Sequence, residues 1–162
     1  MLGGGIVFRP MRRMDKAMDE EAALELLKRC EYGVLSTVGG KGYPYGVPVN
    51  YALKNRVIYF HCATEGHKLD NILENPKVSF CVVGDTEIIS KNFSTKYESV
   101  ILFGNASLVE DDNEKKEALL EIIKKYSPDY IESGKKYIAS DFNKTKVIKI
   151  EIEHLTGKIA KE

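Results

Sequence analysis

Residues 45–62 read YGVPVNYALKNRVIYFHC, and this stretch decides the fold class. Its β-branched and aromatic residues predict two strands, 45–53 and 56–62, joined by a short turn at 54–55. Proline has no backbone N–H to donate, so Pro48 indicates that the first strand lies at a sheet edge or a bulge. Such an edge leaves backbone groups free for a flat polar ligand, although a plain edge strand is the simpler explanation.

Further strands are predicted on both sides of this hairpin. Their mostly hairpin-like connections favour antiparallel pairing over a parallel doubly wound sheet. The chain is therefore predicted to be one α+β, mainly β domain over 1–162, an antiparallel barrel or curled sheet with peripheral helices and an N-terminal arm over 1–17. The additional predicted strands are 32–38, 77–83, 96–109 and 147–152.

The helices are predicted from their capping residues and apolar faces. Asp19 is placed as the N-cap of a helix that reaches Cys30, and Gly66 opens a short helix that ends at 75–76. Asp111 and Glu114 have the spacing of a capping box before a third helix, whose face carries Leu119, Ile122, Ile123 and Tyr126. A fourth helix over 127–139 is predicted to be interrupted near Gly134.

Composition excludes several function classes. The 162 residues carry 24 Lys plus Arg and 24 Asp plus Glu, so no broad positive field favours nucleic-acid binding. The N-terminus does not read as a secretory signal, and the apolar runs are shorter than the ~20 residues of a membrane span. Because three cysteines without a CxxC motif favour reduced thiols, we expect a cytoplasmic protein without membrane contact.

Two familiar motifs are absent or misplaced. The glycines of 39–42 lead into a strand rather than a helix, so they predict a hairpin loop rather than a dinucleotide site. Adjacent side chains in a strand point to opposite faces, so His61 and Cys62 cannot easily share one ion, and we predict no metal site.

A phosphate site is the stronger candidate. The strand ending at Cys62 continues into a small-residue loop, which opens a helix at Gly66 with His67 and Lys68 in its first turn. Helix N-termini expose unpaired N–H groups and the positive end of the helix dipole, which suits a phosphate. A solvated helix start explains the same residues, and the spacing alone does not decide between the two.

Ten segments together carry a family resemblance. In order and spacing, the chain resembles the pyridoxamine 5′-phosphate oxidase-related, FMN-binding split-barrel flavoproteins, and within them the nitroimidazole-resistance (Nim) branch. The resemblance spans roughly 11–158, and the order of the segments is more specific than any one of them. The segments are MRRMD (11–15), GVLST (33–37), GYPYGVPVNY (42–51), IYFHCA (58–63), GHKLDN (66–71), NPKV (75–78), NFS (92–94), YESV (97–100), FGNA (103–106) and EHLTGK (153–158).

The resemblance implies a split β-barrel homodimer with FMN at the subunit interface. Residues 47–50 would lie along the isoalloxazine, His67 and Lys68 would hold the phosphate, and Tyr97 and Ser99 would reach the cofactor from the partner chain. The role of Arg12 and Arg13 in the arm stays open. The implied cofactor-binding set is Val47, Pro48, Val49, Asn50, His61, Cys62, Ala63, His67, Lys68, Tyr97 and Ser99.

The implied function is an FMN-dependent oxidoreductase that reduces a small electrophile such as a nitroaromatic. His61 is the candidate catalytic proton donor, and packing against the flavin is an equal alternative. A flavin- or haem-binding sensor, storage or stress protein with little turnover is the alternative function. The arginine-rich C-terminal pattern of vitamin B6 oxidation is absent, because the chain continues as GKIA over 157–160. The electron donor stays open, since no nicotinamide motif is visible.

Overall fold

An antiparallel sheet of eight strands forms the body of the protein in the computed structural model, which describes residues 8–161. Residues 1–7, the start of the predicted arm, and residue 162 lie outside the described part. The strand order is β3-β2-β6-β7-β8-β5-β4, and β1 pairs with β8. The strands are β1 (Ala17–Met18), β2 (Gly33–Val38), β3 (Pro44–Val49), β4 (Ala52–Lys54), β5 (Val57–Cys62), β6 (Lys77–Ile89), β7 (Ser94–Leu108) and β8 (Lys146–Ala160).

The sheet is split between two strands that are consecutive in sequence. β3 and β4 stand at opposite ends of the strand order and do not pair with each other. Since all pairings are antiparallel and the sheet curls around one core, the architecture is the predicted split barrel. The prediction of one continuous strand over 45–53 is wrong, because the chain leaves the sheet at Asn50 and re-enters at Ala52.

Two strands are longer than predicted because each contains a register shift. β6 was expected to end at Val83, but pairing with β7 resumes at Thr86 after a bulge. β8 was expected to end at Ile152, where the pairing with β7 also shifts, and it continues to Ala160. A bulge leaves the alternation of inward and outward residues out of phase, so a period-two pattern stops at the bulge even though the strand does not.

Four α-helices accompany the sheet within the described residues, and two begin at the predicted caps. The Asp19 carboxylate accepts a hydrogen bond from the Ala22 N–H at 2.8 Å, and Asp111 accepts one from the Glu114 N–H at 2.8 Å. The Glu114 side chain does not complete a capping box, because it accepts from the Tyr59 hydroxyl at 3.0 Å. The helices are α1 (Glu20–Arg29), α2 (His67–Glu74), α3 (Asp112–Tyr126) and α4 (Ile131–Asp141).

α4 is not interrupted at Gly134, which corrects the prediction of a break there. A Cβ on Gly134 would lie 2.5 Å from Cγ2 of Ile123, inside the contact distance of two carbons. The glycine therefore allows α4 to pack closely on α3 rather than ending the helix. None of the helices within residues 8–161 combines the length and apolarity that crossing a bilayer requires.

Two apolar clusters hold the molecule together. The larger fills the barrel and includes the fully buried rings of Tyr51, Phe60 and Phe80, of which Tyr51 and Phe80 meet edge to face at 4.9 Å. The smaller joins α3 to the outside of β5 and β8. It consists of Tyr59, Val109, Ala118, Leu119 and Val147.

A lysine ammonium lies inside this packing. Nζ of Lys125 lies over the ring of Tyr51, 3.8 Å from the ring centroid. This nitrogen is buried and has no hydrogen-bond partner among the described residues. Burial lowers the pKa of Lys125 from 10.5 to about 8, although the nearby Cys30 opposes this shift. The cation–π contact compensates only part of the lost hydration, so the charge destabilises the folded state near neutral pH.

Replacing Lys125 with methionine is expected to increase the stability by about 1 kcal/mol near neutral pH, because it keeps the apolar stem and removes a half-buried charge. The folded-state pKa lies below the unfolded value of 10.5, so the destabilisation is complete below about pH 8 and disappears above pH 10.5. Thermal unfolding of wild type and Lys125→Met over this range measures the difference in Tm, which should shrink as the pH rises.

The comparison between the two proteins cancels the contribution of Tyr51, whose pKa burial raises and which both proteins share. Cys30 does not cancel, because the charge of Lys125 partly opposes the burial that raises the pKa of the Cys30 thiol, so Cys30→Ala is introduced into both proteins before they are compared. Lys124→Met is the matched control, because Lys124 is exposed and pairs with Glu121 on the surface. A difference in Tm that stays constant across the alkaline range would show that the Lys125 charge is fully hydrated in the folded protein.

Candidate functional site

The split of the barrel forms the candidate site, which we call the seam. β4 and β5 pair only from Ala52 opposite Tyr59 to Lys54 opposite Val57, and β3 pairs only with β2. Beyond Tyr59, residues 60–62 of β5 pair with β8 alone. Within the described residues, the seam is therefore bordered by two strand edges whose backbone groups have no strand partner on that side.

Helix α2 bridges one end of the seam. It follows β5 in the chain, but its side chains contact the hairpin of β2 and β3, so it connects the two sides of the split. Residues 39–42 form the loop of that hairpin, as predicted. The contacts are a 4.0 Å ring pairing of His67 with Tyr45, a 2.9 Å hydrogen bond from Asn71 Nδ2 to Thr37 Oγ1, and a 2.7 Å hydrogen bond from the Gly40 N–H to Glu74.

Tyr126, the last residue of α3, closes the other end. Its hydroxyl oxygen accepts a hydrogen bond from the Tyr51 N–H at 3.0 Å and lies 2.5 Å from the Glu31 carbonyl. Asn50 donates to the same carbonyl at 3.0 Å. These bonds provide hydrogen-bond partners for the Tyr51 N–H and the Glu31 carbonyl at the point where β3 and β4 separate. Sequence reasoning placed Tyr126 on the apolar face of its helix and missed this polar role, because no local spacing links it to Tyr51.

The first turn of α2 is open to a ligand. Its N-cap is Gly66 at φ 143°, a conformation that side-chain-bearing residues rarely adopt, and no side chain of residues 8–161 caps the first-turn N–H groups. His67 is exposed and Lys68 is partly buried at this turn. A cavity of about 490 Å³ adjoins α2 between its His67 face and the loop of residues 39–43. The predicted phosphate residues thus flank uncapped backbone donors.

His61 and Cys62 point to opposite faces of β5, as predicted. Cys62 is buried in the main core, whereas His61 lines a cavity of about 90 Å³ beneath α3 and α4. No group of three side chains suited to holding a metal ion occurs within residues 8–161. The other lining residues of the cavity beside His61 are Leu119, Ile122, Ile123, Tyr137, Ile138, Asp141 and Thr145.

Lys68 influences both of these residues electrostatically. Burial lowers the pKa of His61 below 6.5, and the positive charge of Lys68 lowers it further. Burial raises the pKa of the Cys62 thiol, and Lys68 and Lys146 only partly oppose that shift. Near neutral pH His61 is therefore a neutral imidazole and Cys62 a neutral thiol, which does not favour a reactive thiolate.

The predicted cofactor residues fall into two groups in the structure. Residues 47–50, 61–63 and 67–68 surround the seam, where Val47 and Val49 pack against the core and Pro48 and Asn50 are exposed. Tyr97 and Ser99 lie on β7, with β2 and β6 between them and β3. One chain therefore does not bring the second group next to the first, and the expectation that Tyr97 and Ser99 act from a partner chain stays a prediction.

A family profile described as pyridoxamine 5′-phosphate oxidase matches residues 19–159. The chain belongs to this family. The match covers the whole sheet apart from the short β1 and the last residue of β8, and it includes every residue that borders the seam. No curated protein sequence matches the chain. The family resemblance inferred from the ten segments is confirmed at this level.

Solved structures with the same fold come from several bacteria. A candidate 5-nitroimidazole antibiotic resistance protein from Bacteroides thetaiotaomicron is 23% identical, with 88% of this chain and 86% of that chain covered at a TM-score of 0.73. The flavocytochrome Anf3 from Azotobacter vinelandii is 20% identical, covering 94% and 73% at 0.80. An FAD and heme binding protein from Mycobacterium smegmatis is 18% identical, covering 91% and 74% at 0.79. At these identities the likeness establishes the fold.

Replacing Lys68 with methionine is expected to raise the pKa of His61, because it removes the positive charge that disfavours the imidazolium. Burial continues to lower the pKa in the variant, so the rise restores only part of the shift. Titration of the His61 ring protons by NMR in both proteins measures the change. Lys77→Met is the matched control, since the charge of Lys77 does not act on His61. An unchanged His61 titration in Lys68→Met would place the ammonium away from the ring.

Proposed function

We propose that the protein binds FMN in the seam and uses it to reduce a small electrophile such as a nitroaromatic. The observation that supports this most directly is the combination of a free strand edge at residues 47–50 with the uncapped helix start at 66–68. In a member of the pyridoxamine 5′-phosphate oxidase family, these two features match the two ends of a flavin mononucleotide.

The residues at the seam fit the chemistry of FMN. The edge of β3 offers backbone N–H and C=O groups to the polar side of an isoalloxazine, and Pro48 prevents part of that edge from pairing with another strand. The α2 backbone donors and Lys68 suit the dianionic phosphate, because charge-assisted hydrogen bonds are the strong ones. His67 adds a donor and is held in place by its contact with Tyr45.

FMN would supply the redox chemistry, and the chain's own residues would bind, orient and protonate. His61 is neutral near pH 7 because burial and Lys68 lower its pKa, so it donates a hydrogen bond there and a full proton only under more acidic conditions. One side of the His61 ring faces the cavity of about 90 Å³ under α3 and α4, but the residue as a whole remains exposed. A small electrophile can therefore reach His61 from solvent without displacing either helix.

A homodimer belongs to the same proposal. The outward faces of β2, β6 and β7 expose Val34, Val83, Ile101 and Phe103 next to one another in the pairing register. An exposed apolar patch on a small domain favours contact with another protein surface. We call this patch the outer face, and a second copy of the chain covering it would bring Tyr97 and Ser99 to the cofactor of its partner.

Ile101→Glu is expected to shift the protein from a dimer towards the 18.2 kDa monomer, because it places a charge in the centre of the apolar outer face. Analytical ultracentrifugation of wild type and variant measures the mass. Tyr130→Glu is the control, because Tyr130 is another large exposed side chain but lies on the turn before α4 and outside the outer face. A wild type that sediments as a monomer would refute the dimer.

The absorbance spectrum of the purified protein is the first test of the cofactor. Flavin bands and FMN released by heat are the expected result. Lys68→Ala should then weaken FMN binding by about 1.5–3 kcal/mol, the value of a hydrogen bond to a charged group. An unchanged FMN dissociation constant in Lys68→Ala would show that the phosphate does not bind at α2. A colourless protein that fails to bind added FMN would refute the proposed function.

The variant His61→Ala tests whether His61 acts in nitro reduction or in FMN binding. This variant is expected to keep its FMN and to reduce nitro compounds more slowly than wild type, in assays with chemically reduced cofactor. Loss of FMN instead would make His61 a binding residue.

A haem-binding role is the alternative, since two structures with this fold are named for haem as well as flavin. A Soret band in the same spectrum would favour that alternative over nitroaromatic reduction. A cytoplasmic location is part of the proposal and is supported by the three free thiols of Cys30, Cys62 and Cys81.

A further inference from the structure

A cleft between α3 and α4 lies outside the contact that these helices make with the sheet. Ala118 and Leu119 of α3 pack on the sheet, whereas the cleft follows another face of that helix. Its volume is about 540 Å³, compared with about 490 Å³ beside α2, and we call it the helix cleft. It shares Ile138 with the cavity beside His61 but none of that cavity's other lining residues, so it is a separate site. The helix cleft is lined by Asp112, Lys116, Leu120, Lys135, Ile138, Ala139, Phe142 and Asn143.

The packing of α4 on α3 produces the helix cleft. The two helices touch at Gly134, where a Cβ would lie 2.5 Å from Cγ2 of Ile123. At the other end of α4, the Lys115 side chain crosses the gap and donates to the Phe142 carbonyl at 2.6 Å. The same ammonium lies 4.1 Å from the centroid of the Phe142 ring. The helices are therefore in close contact at one end and bridged by a lysine side chain at the other, which leaves a concavity between them.

The wall of the helix cleft is apolar. Leu120, Ile138 and Phe142 are half-buried, and Ala139 is exposed and too small to fill the space between the helices. Covering apolar surface removes it from contact with water, which favours the binding of an apolar group. The volume lies within the range of roughly 300–1,000 Å³ that small-molecule sites occupy. The helix cleft therefore suits an apolar group of small-molecule size.

The charges at the rim favour an anionic end on such a ligand. Lys116 and Lys135 line the helix cleft together with one carboxylate, that of Asp112. Lys135 pairs with Glu132 at 2.8 Å, whereas Lys116 forms no ion pair among residues 8–161. Asp112 lies in the first turn of α3, where the positive end of the helix dipole offsets part of its charge. The Lys116 ammonium lies 5.6 Å from the centroid of the Phe142 ring, so an unpaired cation borders the apolar wall.

We propose that the helix cleft binds a monocarboxylate with an apolar tail. The carboxylate pairs with the Lys116 ammonium, and the tail covers Leu120, Ile138 and Phe142. A second anionic group would meet Asp112, so the site favours a monoanion over a phosphate or a dicarboxylate. None of the lining residues belongs to the implied cofactor-binding set, so this inference does not depend on the proposed function.

NMR titration of the purified protein with octanoate and with octanamide tests the site. The two probes share one tail and differ in charge, so the ratio of their dissociation constants measures the contribution of the carboxylate. Octanoate is expected to bind wild type about twofold to fivefold more tightly than octanamide, the range of an exposed ion pair. Lys116→Gln should remove this preference. Lys136→Gln is the matched control, because Lys136 is also exposed but does not line the helix cleft.

The variant Ala139→Phe locates the site independently of charge. The larger side chain fills the helix cleft from an exposed position of α4, so the binding of both probes should be lost while the amide resonances of the sheet keep their wild-type positions. Absence of octanoate binding to wild type overturns the inference, as does equal binding of the two probes. A preference that persists in Lys116→Gln or disappears in Lys136→Gln, or unchanged binding in Ala139→Phe, overturns it as well. Because the titration needs no flavin, these outcomes are distinct from a failure of the proposed function.

Discussion

The separation of β3 from β4 at Asn50 and Tyr51 is the constraint on which the rest of the structure depends. A hairpin that continued its ladder past Ala52 would pair β3 with the far end of β5, and the barrel would have no split. Leaving the ladder exposes backbone groups, and buried backbone groups need partners. The Tyr126 hydroxyl at the end of α3 accepts a hydrogen bond from the N–H of Tyr51 at that point, and the buried Tyr51 ring anchors the same place to the core.

Helix α2 holds the two edges of the split at a fixed distance. It also carries Lys68, whose charge acts on both a candidate catalytic residue and the proposed phosphate site. Because α2 follows β5 but contacts β2 and β3, it holds the two edges of the seam in one arrangement. Lys68 lies where it lowers the pKa of His61 and also where a phosphate is proposed to bind. A phosphate beside Lys68 would offset that positive charge, so cofactor binding would raise the pKa of His61 and make it a better proton donor near neutral pH.

The features that could be predicted from the sequence are those that a few neighbouring residues determine. Pro48 indicated an edge strand, Asp19 and Asp111 indicated helix starts, and the change of pattern at Gly66 indicated α2. The features that were missed depend on residues distant in sequence. Tyr126 bonds to Tyr51 across 75 positions, and the bulges that interrupt β6 and β8 are visible only against β7.

The implied roles of Tyr97 and Ser99 connect the proposed cofactor site to the proposed dimer. β7 is three strands from β3, which corresponds to about 14 Å across the sheet at the usual strand spacing. In a two-fold dimer the same patch of both copies meets, so a contact centred on Ile101 would place the β7 strands of the two copies close to each other. A flavin held at the edge of β3 must therefore extend over β2 and β6 for Tyr97 or Ser99 of the partner chain to touch it, which makes the outer face a wall of the proposed cofactor site as well as the proposed dimer contact.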